Sequence, residues 1–408
     1  MAEFQSVRGF HDLTGEELRR FRYASDTIKS LLKLYNFEEI ILPVIEYLEV
    51  FQRSIGEVTD IVQKEMFVFQ DRKGRLLALR PEGTAGTVRA YIQNRLYALK
   101  PYVKLFYEGP MFRYERPQAG RYRQFHQIGA EAFGISSPEL DAEMIDLVYN
   151  ILTKLGISST IEINSIGCRV CRPAYRKALS EYLDQVVGHL CDVCIDRKDK
   201  NPLRVLDCKV ETCKEAVRSA PKMVDYLCEE CAAHYQSLKS YLEMLSIPYR
   251  ENYHLVRGLD YYTKTVFEAV STELGITIIA GGRYDYLVEE MGGPPTPAMG
   301  FAVGVERLSL LIKELPPEEP LYMVIPFGNV MDYAFEVVKK LRDMGKKVEI
   351  SYKKANLKKQ LELANKLKVD FAVLIGEDEK RLHTITIKDM HTGKQEIISF
   401  PELAHESL

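Results

Sequence analysis

The chain has 408 residues, 46% of them hydrophobic and 28% charged, and its 55 basic and 58 acidic side chains leave a net charge of −3. This mixture excludes global disorder and collagen-like structure, and any nucleic-acid binding has to come from local patches rather than bulk charge. No apolar run approaches ~18 residues, so no membrane-spanning helix is expected. The start MAEFQSVRGFHD lacks the basic head and apolar stretch of a secretory leader, and a cytoplasmic location is expected.

Thr14 and Glu17 predict a capping box, and Leu18, Phe21, Ile28, Leu31, Leu32 and Tyr35 recur behind it with helical spacing. A short apolar strand, Glu39–Leu42, is closed by Pro43. Residues 102–133 read as two strands, Tyr102–Tyr114 and Arg123–Phe133, joined by the polar loop ERPQAGRY. A helix from about Pro138 to Leu155 turns Leu140, Met144, Leu147, Ile151 and Leu155 inward, and a strand follows at Thr160–Asn164. Strand character returns at Thr263–Val270 and Ile276–Ala280. Residues 314–320 (ELPPEEP) form a linker by composition. Beyond it, strands at 322–326, 347–351 and 371–376 alternate with helices at about 330–344 and 356–367, which predicts a small, mostly parallel α/β domain.

All eight cysteines lie between Cys168 and Cys231, as the pairs 168/171, 191/194, 208/213 and 228/231. Without a secretory leader, disulfides are not expected. Three pairs have the C-x-x-C spacing with which two thiolates chelate one tetrahedral ion. The step from Cys171 to Cys191 falls in or near the linker range of four-cysteine zinc sites, and eight thiolates could fill two sites. The plainer alternative is a helical insertion with small buried thiols, and both readings stay open.

Several nucleotide signatures are missing. Gly393-Lys394 is followed by Gln395 rather than the hydroxyl of a phosphate-binding loop, and no Gly-x-Gly-x-x-Gly follows a strand. Six polar clusters remain. The first is Phe112-Arg-Tyr-Glu115 with Arg116, Arg121 and Arg123, and arginine forks suit phosphate oxygens. Gln127 and Glu131, four apart on a strand, share one face. The turn Arg80-Pro-Glu-Gly-Thr84 could hold an ammonium group. The others are Val256-Arg-Gly-Leu-Asp-Tyr-Tyr262, Ala280-Gly-Gly-Arg-Tyr-Asp285 and the glycine-rich helix entry Gly300–Leu308. Each has a packing explanation when taken alone.

Taken in order, the set resembles the class II aminoacyl-tRNA synthetases and, within them, the histidyl-tRNA synthetases. Phe37–Pro43 looks like the family's first motif, Phe112–Glu115 with the loop to Phe125 like the second, and Gly304-Val-Glu-Arg307 like the third. Arg257–Tyr262 and Ala280–Asp285 resemble the histidine-specific strings, and Arg8-Gly-Phe-His-Asp12 also resembles the family. Leu13-Thr-Gly15 departs from a proline the family often carries there, and touches no expected site.

The resemblance implies a fold and a set of roles. The fold is an α+β (α/β-class) catalytic core, an antiparallel sheet flanked by helices. It is interrupted by a cysteine-rich insertion and followed by a C-terminal α/β anticodon-binding domain. Core residues would run 1–166 and 246–317, the insertion 167–245, and the anticodon domain 321–408. L-histidine would be activated by ATP with Mg²⁺ and passed to the 3′ end of tRNA(His). Arg257 would be the catalytic arginine, with Arg113 on the α-phosphate. Glu115 would hold the adenine amino group, Phe125 would stack on the ring, and Arg121 and Arg307 would reach the outer phosphates. Glu82, Thr84 and Gln127 would bind the α-ammonium, and Glu131 and Tyr262 the imidazole, with Arg257 and Tyr261 completing the histidine pocket. Arg116 and Gln118 would read the tRNA acceptor end. Residues 339–368 hold eleven Lys/Arg against three acids, a stripe suited to phosphate contacts in the anticodon domain. The apolar strand of the first motif implies a homodimer. The main alternative is a non-catalytic, histidine-sensing regulatory paralogue of the same fold, which by the same resemblance lacks the anticodon domain and degrades the catalytic strings.

Overall fold

The structure, a computed structural model, describes residues 4–55, 61–117, 120–259, 261–352 and 355–400. The chain divides into two compact units, Met1–Leu315 and Pro316–Leu408, with the break inside the proline-rich linker. Among the described residues no helix is long and apolar enough to cross a membrane.

The larger unit is built on an eight-stranded sheet. Its spatial order is Glu38–Glu39, Val103–Phe112, Gln124–Phe133, Ala298–Gly304, Thr277–Arg283, Thr263–Ser271, Ser159–Ser165 and Tyr249–Glu251. The five interior pairings are antiparallel, and only the two edge pairings are parallel. The expected antiparallel sheet is therefore present, with a parallel strand added at each edge. Helices Gly15–Leu34 and Pro138–Lys154 pack on it, burying Phe21, Ile28, Leu32, Leu140, Met144, Leu147 and Ile151 in one apolar core with Phe267 and Phe301. These are the positions that helical periodicity selects.

Two local expectations are corrected. Thr14 occupies the position before the first helix in extended backbone, but its side chain makes no capping bond, so the capping box does not form. The strand placed at Glu39–Leu42 is reduced to Glu38–Glu39. After it only the Ile40 N–H still donates to the sheet, to Phe106 O, before the chain turns away towards Pro43, which has no N–H to continue the ladder.

The insertion folds into helices Arg172–Gln185, Asp192–Lys200, Glu211–Val217 and Glu229–Met244. Its small core contains Tyr175, Leu179, Leu183, Val205, Val217 and Met223 together with six of the eight cysteines. The sulfurs gather as Cys168/Cys171/Cys228/Cys231 and Cys191/Cys194/Cys208/Cys213. Chain adjacency points instead to 168/171 with 191/194. Helix Arg172–Gln185 carries the chain away from the first pair, and helix Glu229–Met244 brings the last pair back to it. That last helix serves both cores. Cys231 lies in the insertion's core, whereas Tyr235, Leu238 and Leu242 lie in the core of the sheet.

The C-terminal unit has the predicted strand–helix alternation. Its five-stranded sheet runs Lys347–Ile350, Leu321–Pro326, Phe371–Ile375, Thr384–Asp389 and Gln395–Ser399. The first two pairings are parallel and the last two antiparallel, so the sheet is mixed rather than mostly parallel. Polar alternation across the last two strands hid this hairpin.

Candidate active site

The sheet carries a cleft of about 470 Å³ lined by polar side chains from several strands and loops. Twelve residues singled out from the sequence line it: Glu82, Thr84, Arg113, Glu115, Arg121, Phe125, Gln127, Glu131, Arg257, Tyr261, Tyr262 and Arg307. Arg116 is exposed on the hairpin loop and is not part of the lining. Gln118, like Asp260 of the Arg257–Tyr262 string, lies outside the described residues.

One end of the cleft is a buried carboxyl cluster. Strand pairing sets Glu131 opposite Gly300 and Gln127 opposite Gly304. A Cβ at Gly300 would fall inside the Glu131 carboxyl, and one at Gly129 would fall on the Tyr107 ring, so both strands need glycine here. Glu131 is 1% exposed. Its oxygens accept from the Thr84 hydroxyl at 2.7 Å, from the Tyr284 hydroxyl, and from Tyr107 at 3.5 Å. Burial pushes its pKa up to about 8 against those hydrogen bonds, which favour the anion. Glu82 sits before helix Thr84–Gln93 and accepts from the backbone N–H groups of Thr84 (2.5 Å) and Ala85 (3.0 Å). Burial raises its pKa as well, opposed by those two donors. Among the described residues, Gln127 Oε1 is buried with no hydrogen-bond partner. An amide oxygen left so is costly unless a ligand donor satisfies it.

The other end is cationic. Arg113 donates from Nε to Pro81 O at 2.9 Å and lies 5.3 Å over the Phe125 ring. Arg113 and Arg121 approach the Glu115 carboxylate at 3.9 and 3.6 Å. Arg307, the single arginine of a one-turn helix entered through Gly304, donates to Gly120 O at 2.9 Å and to Thr277 O at 3.1 Å. Between the two ends Arg257 pairs through Nη1 with Glu268, whose other oxygen accepts from the Thr277 hydroxyl at 2.6 Å. The Arg257 guanidinium lies 5.7 Å from the Tyr262 ring centroid, and its Nε is buried with no partner among the described residues. Each arginine is thus anchored by the protein through part of its fork and lines the cleft. A row of such preoriented donors stabilises developing negative charge on oxygen.

Sequence reasoning missed part of this site. Tyr284 lies inside the Ala280–Asp285 string, where the resemblance gives it no role, and Tyr107, Glu268 and Thr277 fall in stretches whose pattern signals only a strand. The glycines opposite and beside them, Gly129 and Gly300, were the available signal. Arg204 and Asp207 also line the cleft, although they belong to the insertion. They lie in a stretch whose local sequence signal is its cysteines.

Comparison with known proteins agrees with this geometry. The family model described as histidyl-tRNA synthetase matches residues 9–308, and that of an anticodon binding domain matches residues 322–407. The chain is 68% identical over 400 residues to the histidine–tRNA ligase of Aquifex aeolicus, covering 98% of this chain and 99% of the relative. It is 49% identical to that of Thermodesulfovibrio yellowstonii, covering 98% and 97%. The crystal structure of apo S. aureus histidyl-tRNA synthetase superposes with a TM-score of 0.82 at 35% identity, over 98% of this chain and 99% of that one. On these matches, which span both units, the chain belongs to the histidyl-tRNA synthetase family, the histidine–tRNA ligases.

Proposed function

We propose that the chain activates L-histidine with ATP and then passes the histidyl group to the 3′ end of tRNA(His). One observation carries the residue assignments: a single cleft joins a buried, hydrogen-bonded carboxyl to a row of oriented arginines. In the first step a histidine carboxylate oxygen attacks the α-phosphorus of ATP. The bond to the bridging oxygen breaks and pyrophosphate leaves with the electron pair, giving histidyl-adenylate. In the second step a ribose hydroxyl of the tRNA attacks the adenylate carbonyl, losing its proton, and AMP leaves. Both steps gather negative charge on oxygens, so positioning and cationic stabilisation suffice and no nucleophilic side chain is required.

Arg113 and Arg257 act at the α-phosphate, as the catalytic pair. Glu115 receives the adenine amino group, Phe125 the adenine face, and Arg121 and Arg307 the outer phosphates. Glu82, Thr84 and Gln127 take the α-ammonium, and the orphaned oxygen of Gln127 is suited to an N–H donor. Glu131 and Tyr262 take the two imidazole nitrogens, with Tyr261 and Arg257 closing the pocket. Because Thr84 and Tyr284 both donate to Glu131, the carboxyl is held in one orientation before histidine arrives. Mg²⁺ fits a cleft that offers carboxylates beside its arginines, without an all-protein cage. Glu268 and Glu306, which line the cleft, would be carboxylates for a cation brought in on the phosphates, and the ion's contribution when bound is to neutralise phosphate charge.

Arg116 and Gln118 read the acceptor end of the tRNA. The anticodon falls to the C-terminal unit, where Lys339, Arg342, Lys347, Lys358, Lys359, Lys366 and Lys368 are exposed. The division into core (1–166 and 246–317), insertion (167–245) and anticodon domain (321–408) follows these roles. We infer a homodimer working in the cytoplasm. Its support is the short strand Glu38–Glu39 at the sheet edge, flanked by Leu34 at 79% and Ile41 at 88% exposure.

ATP–pyrophosphate exchange, run with each amino acid in turn and without tRNA, tests the reading. Exchange with histidine alone is expected. No exchange in a folded protein that still binds histidine would overturn it in favour of a histidine-sensing regulatory role.

A further inference from the structure

The eight cysteines of the insertion sort without remainder into two groups of four, and within each group all sulfurs lie within 4.8 Å of one another. The outer group joins Cys168 and Cys171, at the start of the insertion, to Cys228 and Cys231, at its end. The inner group joins Cys191 and Cys194 to Cys208 and Cys213. All eight are free thiols. The sulfur–sulfur distances are 3.6 Å for Cys168–Cys171, 3.9 Å for Cys168–Cys228 and 3.9 Å for Cys191–Cys208. A tetrahedron with metal–sulfur bonds of ~2.3 Å has edges of about 3.8 Å. Disulfides need sulfurs ~2.05 Å apart and would pair them two by two rather than four around a point.

The backbone around each group is arranged for thiolates. Val170 N–H points at Cys168 Sγ (3.3 Å), Cys228 N–H at Cys171 Sγ (3.1 Å) and Cys191 N–H at Cys213 Sγ (3.1 Å). Cys171, Cys191 and Cys228 each stand immediately before a helix, Arg172–Gln185, Asp192–Lys200 and Glu229–Met244. There the positive end of the peptide dipoles favours a sulfur anion. Packing supplies a further reason. Six of the fifteen buried residues of the insertion's core are cysteines, so that core is built around the thiols a metal would tie together.

We propose that the insertion holds two zinc ions in nested tetrathiolate sites, the outer fastening its stem and the inner fastening the wall that it presents to the active site. Each site forms as Zn²⁺ displaces four thiol protons to solvent, with no change of oxidation state. The inner site encloses residues 195–207, which include Arg204 and Asp207 of the cleft lining. Arg204 donates to the carbonyl of Gly258, next to Arg257. Val256 packs against the insertion's core, and the His254 ring meets Val217 O at 3.0 Å. The segment that carries Arg257 is therefore seated on the metal-fastened part of the insertion, and Arg204 is a positioning residue. This coupling, unlike the metal assignment, rests on the catalytic role given to Arg257.

The experiment is elemental analysis of the full chain, purified without chelators, followed by titration with an organomercurial and a zinc-sensitive dye. Release of two zinc ions as the eight thiols are blocked is expected. Absence of metal, stoichiometric iron, or a mass deficit from disulfides would overturn the assignment whatever the protein's activity. Cys208→Ser should lose the inner ion and keep the outer, and Cys228→Ser the reverse. Retention of both ions in either variant would also overturn it. If neither variant folds, metal release from the unmodified chain still decides. For the coupling, Cys208→Ser should lower the turnover of histidine-dependent pyrophosphate exchange on the order of 10²-fold, as for a displaced catalytic group, with KM for ATP little changed. Full turnover in a protein shown to lack the inner ion would overturn the coupling and leave the metal sites standing.

Discussion

Arg283 and Arg257 sit in neighbouring parts of the larger unit, and they are used in opposite ways. Arg283 is 0% exposed, and its fork is spent on the protein: Asp141 at 2.6 Å, Ser137 O at 2.6 Å, Ile135 O at 3.0 Å and Asp285 at 3.3 Å. Arg257 is tied through Nη1 to Glu268, and its Nε finds no partner among the described residues. The same side chain is a girder in one place and an open donor in the other. Motif strings do not separate the two, since both arginines lie inside histidine-specific strings. Hydrogen-bond saturation does. A buried donor left unmatched by the protein has a cost that a bound acceptor can recover.

Substitution of each arginine puts that contrast to the test. Arg283→Ala leaves Asp141 buried, with only the His234 ring, 2.8 Å away, still bonded to it among the described residues. Unfolding in urea should show a loss of about 3–5 kcal/mol, the cost of orphaning a buried charge. Arg257→Ala should instead cut turnover in pyrophosphate exchange by roughly 10²–10³, with the smaller change in unfolding free energy. Equal losses of stability in the two variants would erase the distinction.

Glu131→Gln sharpens the comparison at the amino-acid end. Losing one charged hydrogen bond should raise KM for histidine by roughly 10–100-fold while leaving KM for ATP in place. Titration gives a second reading. Folding raises the Glu131 pKa from 4.5 to about 8, so the folded chain holds this proton more tightly than the unfolded one. Its contribution to stability is therefore present at acid pH and is lost as pH climbs from 4.5 through about 8. Thermal unfolding of Glu131→Gln should lack that decline. If the imidazole N–H binds the carboxylate form, kcat/KM for histidine in the parent should rise with pH up to about 8, and the variant should be flat. The smallest effect is expected in the C-terminal unit. Lys358→Ala should leave pyrophosphate exchange unchanged and lower the salt slope of tRNA binding by about 0.7–0.9.

Most of the large elements were legible because their apolar residues keep one period for several turns. Phe21, Ile28 and Leu32 on the first helix, and Leu140 to Ile151 on the helix after the hairpin, are buried where the pattern puts them. The hairpin carrying Arg113 and Gln127 was legible from its polar tip. Three things were not. Thr14 and Glu17 fit a capping pattern, yet the Thr14 side chain makes no cap. The last two strands of the C-terminal sheet alternate with too many polar residues to stand out. Tyr107, Tyr284, Arg204 and Asp207 reach the cleft through strand register and through an insertion whose Arg204 meets Gly258 across 54 positions of the chain, and local pattern contains neither. The clusters that hold the cleft residues were legible one by one, but their joint roles came from motif resemblance, which stores long-range geometry that periodicity does not.

Helix Glu229–Met244 has a consequence for how such proteins diversify and for how they can be engineered. Its first turn belongs to the insertion and its later turns to the sheet's core. The insertion is therefore not a cassette with two clean seams. A chimera that imports another insertion must keep Tyr235, Leu238 and Leu242 as the host's own, so the splice belongs within the helix, after Cys231. Exchange made at the loop beyond Met244 would carry a foreign apolar face into the catalytic sheet.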